Sequence, residues 1–221
     1  MPTPSRTGTA SQVNASGGDG STSVTVPADC TAVVAQWSHF DGNGGTTLSG
    51  LTLNGVSFFP AEVQIAEGAV TNEAGHGIAV LLNPATGSQT LAWTWSAGAG
   101  RTEGGWIVLT YVKDVNLADP VRASAVDAQI STDNCSVTLA TETTDLLLAG
   151  CQSFNTSTPG LDGTVYINNA ALNSHVYDAS EVTPQAGTTT VQMTGDDYSS
   201  MGAISLKASA DPTGGVAWLR A

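Results

Sequence analysis

The strongest constraint on this chain is a phrase that it contains twice. NPATGSQTLAWTW begins at Asn83 and TPQAGTTTVQMTG begins at Thr183, one hundred residues later, and each runs Pro, then Gly three residues on, then an alternating strand. Pro fixes φ near the value that the second residue of a turn needs, and Gly supplies a conformation that a β-carbon forbids. Pro84 with Gly87, and Pro184 with Gly187, therefore predict two turns that each set the register of the strand that follows. Further matches keep the same order. SVTVPADCTAVVAQW (23–37) matches SVTLATETTDLLLAGC (136–151) with one extra residue in the second copy. EGGWIVLTYV (103–112) then matches SMGAISLKAS (200–209) as the closing strand. Like segments recurring in like order predict a degenerate internal duplication.

The segments themselves are β-branched, aromatic and bounded by turn residues, and no stretch holds a 3.6-residue apolar period over three turns. Strands are expected near 23–27, 32–40, 51–59, 76–83, 89–96 and 105–112, then near 136–140, 145–154, 164–168, 175–182, 189–195 and 201–208, with 114–133 as a crossover. The expected fold is all-β: a jelly-roll-like β-sandwich built from two degenerate repeats, with an N-terminal arm and a short C-terminal tail. Residues 1–20, rich in Ser, Thr and Gly, form the extended arm; 21–209 form the sandwich, with repeat one at about 21–115 and repeat two at about 132–209; 210–221 form the tail. Two such units facing each other bury both apolar faces in one core. The alternative is a pair of independent domains, each of only about ninety residues and marginal alone.

Hydrophobic residues make up 41% of the 221 residues, enough for a core, while charged residues are only 11%. Nineteen acidic against six basic side chains give a net charge of −13, which phosphate backbones repel, so nucleic acid is excluded as a partner. No window approaches eighteen consecutive apolar residues, so no membrane span is expected. MPTPSRTGTASQVNASGGDGSTS has no apolar core of a secretory leader, which implies synthesis in the cytoplasm. Cys30, Cys135 and Cys151 are three in number and lack metal-ligand spacing. Cys151, in LLLAGC, reads as a buried small residue; free thiols are expected, with one Cys30–Cys135 disulfide left open.

Chemistry-bearing patterns are few. His39 and Asp41 share a strand face by period-two geometry, but the following GNGG makes Asp41 a turn residue. His76 and His175 have no spacing partner, DGNGGT (41–46) lacks the full calcium-loop pattern, and the carboxylates of GDD (195–197) point to opposite faces of a strand. Glu62, Glu67, Glu73 and Glu103 carry no signature that links them, and neither a serine nucleophile elbow nor a phosphate loop occurs. The expectation is a non-enzymatic protein with no cofactor, no metal and no catalytic residue. Trp93 and Trp95 point to one face, either as a platform for sugar rings or as core; their counterparts in the second repeat, Met193 and, for Trp106, Ala203, favour the core. Trp218, Leu219 and Arg220 lie on a tail beyond a Pro/Gly break, of the residue types that anchor interfaces, and are the candidate partner-binding residues.

The string SVTVPADCTAVVAQW…LTLNG…GIAVLLNPATGSQTLAWTWS…GGWIVLTYVKDV…P, over about 22–120, resembles a loose group of β-sandwich proteins of tailed-phage virions and some bacterial surfaces. The resemblance implies a structural module of a virion: an accessory capsid decoration or cement protein that grips the outer shell through its termini. Its partners would be the major capsid protein or other virion subunits, with a homo-oligomer expected. The alternative is a carbohydrate- or receptor-binding module of a head or tail fibre, with a glycan as ligand.

Overall fold

A computed structural model describes residues 2–15, 18–40, 47–58, 63–69, 74–96, 104–129, 134–154, 160–172, 175–194 and 199–209. Every regular element among them is a strand. The first half holds β1 (Ser5–Arg6), β2 (Ser11–Asn14), β3 (Gly20–Val26), β4 (Ala32–Phe40), β5 (Leu48–Leu53), β6 (Val56–Ser57), β7 (Val63–Ala69), β8 (Ala74–Leu82), β9 (Gly87–Trp95) and β10 (Gly104–Lys113). The second holds β11 (Val121–Gln129), β12 (Asn134–Thr141), β13 (Leu146–Phe154), β14 (Gly160–Leu161), β15 (Thr164–Leu172), β16 (His175–Val182), β17 (Gly187–Thr194) and β18 (Ser199–Leu206).

These strands form four antiparallel sheets. β10–β4–β8–β7, with β1 and β2 on the outer side of β10, is one; β3–β9–β5–β6 is its mate. In the second half, β11–β18–β13–β16–β15 has β12–β17–β14 as its mate. Set side by side, the two halves have one strand order: β18–β13–β16–β15 lies as β10–β4–β8–β7 does, β12–β17–β14 as β3–β9–β5, and β11 covers β18 where β1 and β2 cover β10. In each half the outermost strand of the large sheet pairs with the strand that follows it in sequence, β7 with β8 and β15 with β16.

Each half closes its own core. Val33, Ala35, Trp37, Leu51, Leu91, Ile107 and Leu109 pack between the two sheets of the first, and Leu147, Ala149, Cys151, Val191, Met193 and Met201 between those of the second. The large sheets then meet back to back. Ala32, Val34, Ile78, Val80 and Val112 pack against Leu146, Leu148, Ile204 and Leu206, and beside them Trp106 and Val108 pack against Ile167, Tyr177 and Ala179. The shared single core expected from the duplication is thus corrected to four layers with three apolar interfaces. The physical reason is visible strand by strand. β18 is buried at all eight positions and β12 alternates exposed and buried, so the first is a two-sided inner strand and the second a one-sided outer one.

The turn chemistry accounts for local register. Gly87 and Gly187 open β9 and β17 at φ 83° and 95°, the left-handed values that the repeated Pro–x–x–Gly phrase demands. Asn54 and Gly55, at φ 51° and 78°, form a tight hairpin between β5 and β6, so the single strand expected over 51–59 is corrected to two. The 114–133 crossover is likewise corrected: it contains β11, whose Ala-rich sequence hides a full edge strand. The expected arm is taken into the fold in cis, as β1 and β2 on β10, with Val13 and Ala15 in the first core.

One cross-strand pair shows how the halves exchange volume. Trp37 lies opposite Gly77, and a β-carbon on Gly77 would sit 2.1 Å from the indole. At the matching positions the second half pairs Cys151 with Asp178, a smaller side chain permitting a larger neighbour. Gly87, by contrast, faces open space and is needed only for its backbone. In urea unfolding, Gly77→Ala is expected to cost about 3 kcal/mol or more by clash with a rigid ring. Gly87→Ala should cost about 1–2 kcal/mol by backbone strain alone.

Candidate functional site

Residues singled out in the sequence fall mostly into structural roles. Trp93 and Trp95 are buried, their indole N–H groups donating to the carbonyl oxygens of Gly18 and Ala15 at 3.0 Å each, while Asp19 Oδ1 accepts from Trp95 N at 2.8 Å. The pair therefore packs into the first core and fastens the segment leading to β3. His39 is buried edge-on to Trp95, ring centroids 5.7 Å apart. Trp106 departs from its expected alignment: it opposes Ser38 as Ser200 opposes Gln152, so Ser200, not Ala203, is its counterpart, and its ring faces the second half. Cys30 lies in the first core and Cys135 and Cys151 in the second, all three as free thiols, so Cys30 and Cys135 do not pair. Burial pushes the thiols of Cys30 and Cys151 up, which makes them poor nucleophiles. Asp41, DGNGGT, Glu62, Glu73, Glu103, GDD and the tail residues Trp218, Leu219 and Arg220 lie outside the described residues, as do the side chains of Glu67 and His175.

One described concave surface lies where the N-terminal segment meets the second half. A cleft of about 420 Å³ is lined by Pro4, Leu146 and Val182, by five Thr residues (Thr3, Thr143, Thr144, Thr164 and Thr183), and by the carboxylates of Asp145 and Glu181. Arg6, held by β1, donates through Nε to Glu181 at 2.9 Å and lays its guanidinium 4.0 Å from the centre of the Tyr166 ring. Tyr166 shares a 2.9 Å hydrogen bond with Thr110 of β10, and burial raises its pKa to about 12. The N-terminal segment is thus a strap: its backbone pairs with the first sandwich and its Arg6 side chain reaches across to the second.

Asp145 looks like a candidate acid but is fully engaged. Its carboxylate accepts two hydrogen bonds from Arg122, at 2.6 and 3.1 Å, one from Ser205 at 2.8 Å and one from Glu142 N at 2.8 Å. Burial pushes its pKa up, but the Arg122 guanidinium and the neutral donors outweigh this and hold it below the usual range. The folded state therefore prefers the carboxylate, and the contribution is present above the ordinary Asp pKa and lost as pH falls through the folded value. Such a group anchors the β12–β13 turn. Arg6, Lys113, Arg122 and Lys207 each pair with a carboxylate, and among the described residues no group of three His, Cys, Asp or Glu could hold a metal ion.

A third feature was invisible in the sequence. Between the central sheets, beyond the apolar contact of Leu148 with its neighbours, lies a polar layer that includes Gln36, Ser38, His76, Gln152 and Ser200, all buried. His76 stacks parallel to Tyr177, centroids 6.4 Å apart and planes 6° off. Ladder register makes the two rings counterparts, since His76 opposes Ser38 as Tyr177 opposes Gln152. A hydrogen-bond partner is missing for Ser38 Oγ, Trp106 Nε1 and both nitrogens of His76.

No protein-family model and no curated protein matches this chain. The two ion pairs at the strap and the turn differ enough in burial to be told apart. Asp145→Ala should cost about 2–3 kcal/mol in urea unfolding because Arg122, Ser205 and the Glu142 amide all lose a buried charged acceptor. Arg6→Ala, with both partners partly solvated, should cost about 1 kcal/mol, and a double-mutant cycle with Glu181→Ala should return less than that.

Proposed function

We propose that the chain is a non-enzymatic structural module of a tailed-phage virion, an accessory protein on the outer face of the capsid shell. The observation that carries this reading is the use made of the aromatic and charged side chains. Trp37, Trp93, Trp95 and Trp106 are all buried, and the described cations bond to carboxylates of the same chain. Such an arrangement supports a rigid, passive spacer rather than an aromatic binding platform. The exposed side chains of β3, β9, β12 and β17 support it too. They are largely Ser and Thr, some bonded laterally as in Ser23 with Ser88 and Thr138 with Thr190. Contact with the shell is assigned to the tail, through Trp218, Leu219 and Arg220. The N-terminal segment is a poor second clamp, because β1 and β2 already hydrogen-bond to β10.

A second reading, recognition of a neutral glycan, is supported by the cleft under the strap instead of by the tryptophans. Five Thr side chains and two carboxylates among Pro, Leu and Val suit a polyhydroxyl ligand, and about 420 Å³ falls within the size range of small-ligand sites.

The test is co-sedimentation of the purified protein with empty capsids, comparing the full chain with one lacking 211–221 and with Trp218→Ala/Arg220→Ala. The full chain should bind and both variants should lose at least about tenfold in affinity, two anchor residues typically being worth more than 1.4 kcal/mol together. If the full chain does not bind, the capsid reading fails. A glycan bound by the full chain and lost in Thr164→Tyr, which fills the cleft, would establish the second reading in its place.

A further inference from the structure

We infer that the polar end of the joint between the two sandwiches is an acid-opened hinge, in which a proton taken up by His76 parts the central sheets there while the apolar end holds. The joint is built unevenly. At one end Leu146, Leu148, Ile204 and Leu206 meet Ala32, Val34, Ile78 and Val80, all apolar. Towards the other end, His76 is wholly buried with neither ring nitrogen bonded, and Ser38 Oγ is unbonded beside it. Buried polar groups without partners are costly, so this end of the interface contributes little to cohesion and gives way first.

Among the described side chains, no carboxylate stands beside His76 to favour a cation, and the influences on its ring are burial and His39. Ser38 of β4 lies opposite it in the ladder, Gly202 of β18 lies under its ring, and Tyr177 of β16 lies parallel to it. Of the ionisable groups near it, Tyr177 is held neutral by burial, and Asp178 turns to the other face of its sheet, opposite Cys151. His39, on the far face of β4, acts on His76 only as a like charge. A charged ring is therefore best accommodated where water reaches it, and Gly202 is what lets the neutral ring pack so close to β18: a β-carbon there would stand 2.5 Å from the imidazole.

Burial first, and His39 second, lower the His76 pKa from 6.5 to about 3. The sign follows from linkage. An open joint exposes an imidazole of ordinary pKa and binds more protons than the closed joint between pH 6.5 and 3. Closure is at full strength above the ordinary value and weakens about tenfold per pH unit below it, so the open population should rise about a hundredfold between pH 8 and pH 4.5.

The full chain carrying Ser200→Cys tests this, with labelling by 4,4′-dithiodipyridine, which reacts in acid, and rates normalised to a small thiol. Ser200 lines the joint, whereas Cys30, Cys135 and Cys151 lie inside the separate sandwiches and serve as internal controls. The hinge predicts about a hundredfold faster labelling at position 200 on going from pH 8 to 4.5, with the native cysteines unchanged. His76→Phe in the same background, which still stacks on Tyr177, and His76→Gln should each hold the change to about threefold or less. The proposal is overturned if the native cysteines accelerate in parallel, which is global unfolding, or if either His76 variant keeps the full acid response.

Discussion

Everything in this molecule depends on two sheets that are buried on both faces. β4 and β13 run through the middle of the stack, each with one face in its own sandwich and the other against the opposing sheet. Val33 and Leu147 point into the separate cores while Val34 and Leu148 meet across the joint. A buried Leu or Val is worth about 1.5–3 kcal/mol, so two-sided burial lets each strand contribute twice to cohesion. It also explains how a chain with so few charges folds as two small sandwiches that would each be marginal alone.

The matched strand order gives the joint its geometry. β10 packs near β16 through Trp106 and Tyr177, and its counterpart β18 packs on β8 through Gly202 and His76, the counterparts of Val108 and Tyr177. The corresponding strand of each half thus faces the other half, with β18 on β8 the closer of the two contacts. The strap completes the pattern. β1 and β2 do for the first sheet what β11 does for the second, and Arg6 reaches from there to Glu181 and Tyr166.

Much of this was legible in the residues. AVVAQWSHF and HVYDASEV coincide with β4 and β16, and the repeated Pro–x–x–Gly phrase marks two turns with left-handed glycines. The four-layer arrangement was legible too, in a contrast between kinds of strand. WIVLTYV and LLLAGC are continuous apolar runs, the mark of two-sided burial, whereas SVTVP, QTLAWTW and TTTVQMT alternate as one-sided strands do. Read as one class, they suggested a single core. β11 escaped because VRASAVDAQ has two valines among mostly small and polar residues, its place being made largely by pairing with the edge of β18. Trp106 was misaligned by three residues because the glycines flanking it match Gly202 in letters but not in ladder position. The polar layer around His76 could not be read at all: lone histidines and serines in strands become a buried cluster only when two distant sheets meet.

The central claim is that the face-to-face contact, rather than the covalent crossover, holds the two sandwiches together. A protease site placed between Asn116 and Pro120 in the folded chain, next to exposed Leu117, tests it directly. After cleavage at neutral pH the two pieces should co-elute on gel filtration as one particle of the intact mass and separate only in denaturant. Pieces that part on dilution, each still folded, would show that the crossover does the holding and would contradict the account.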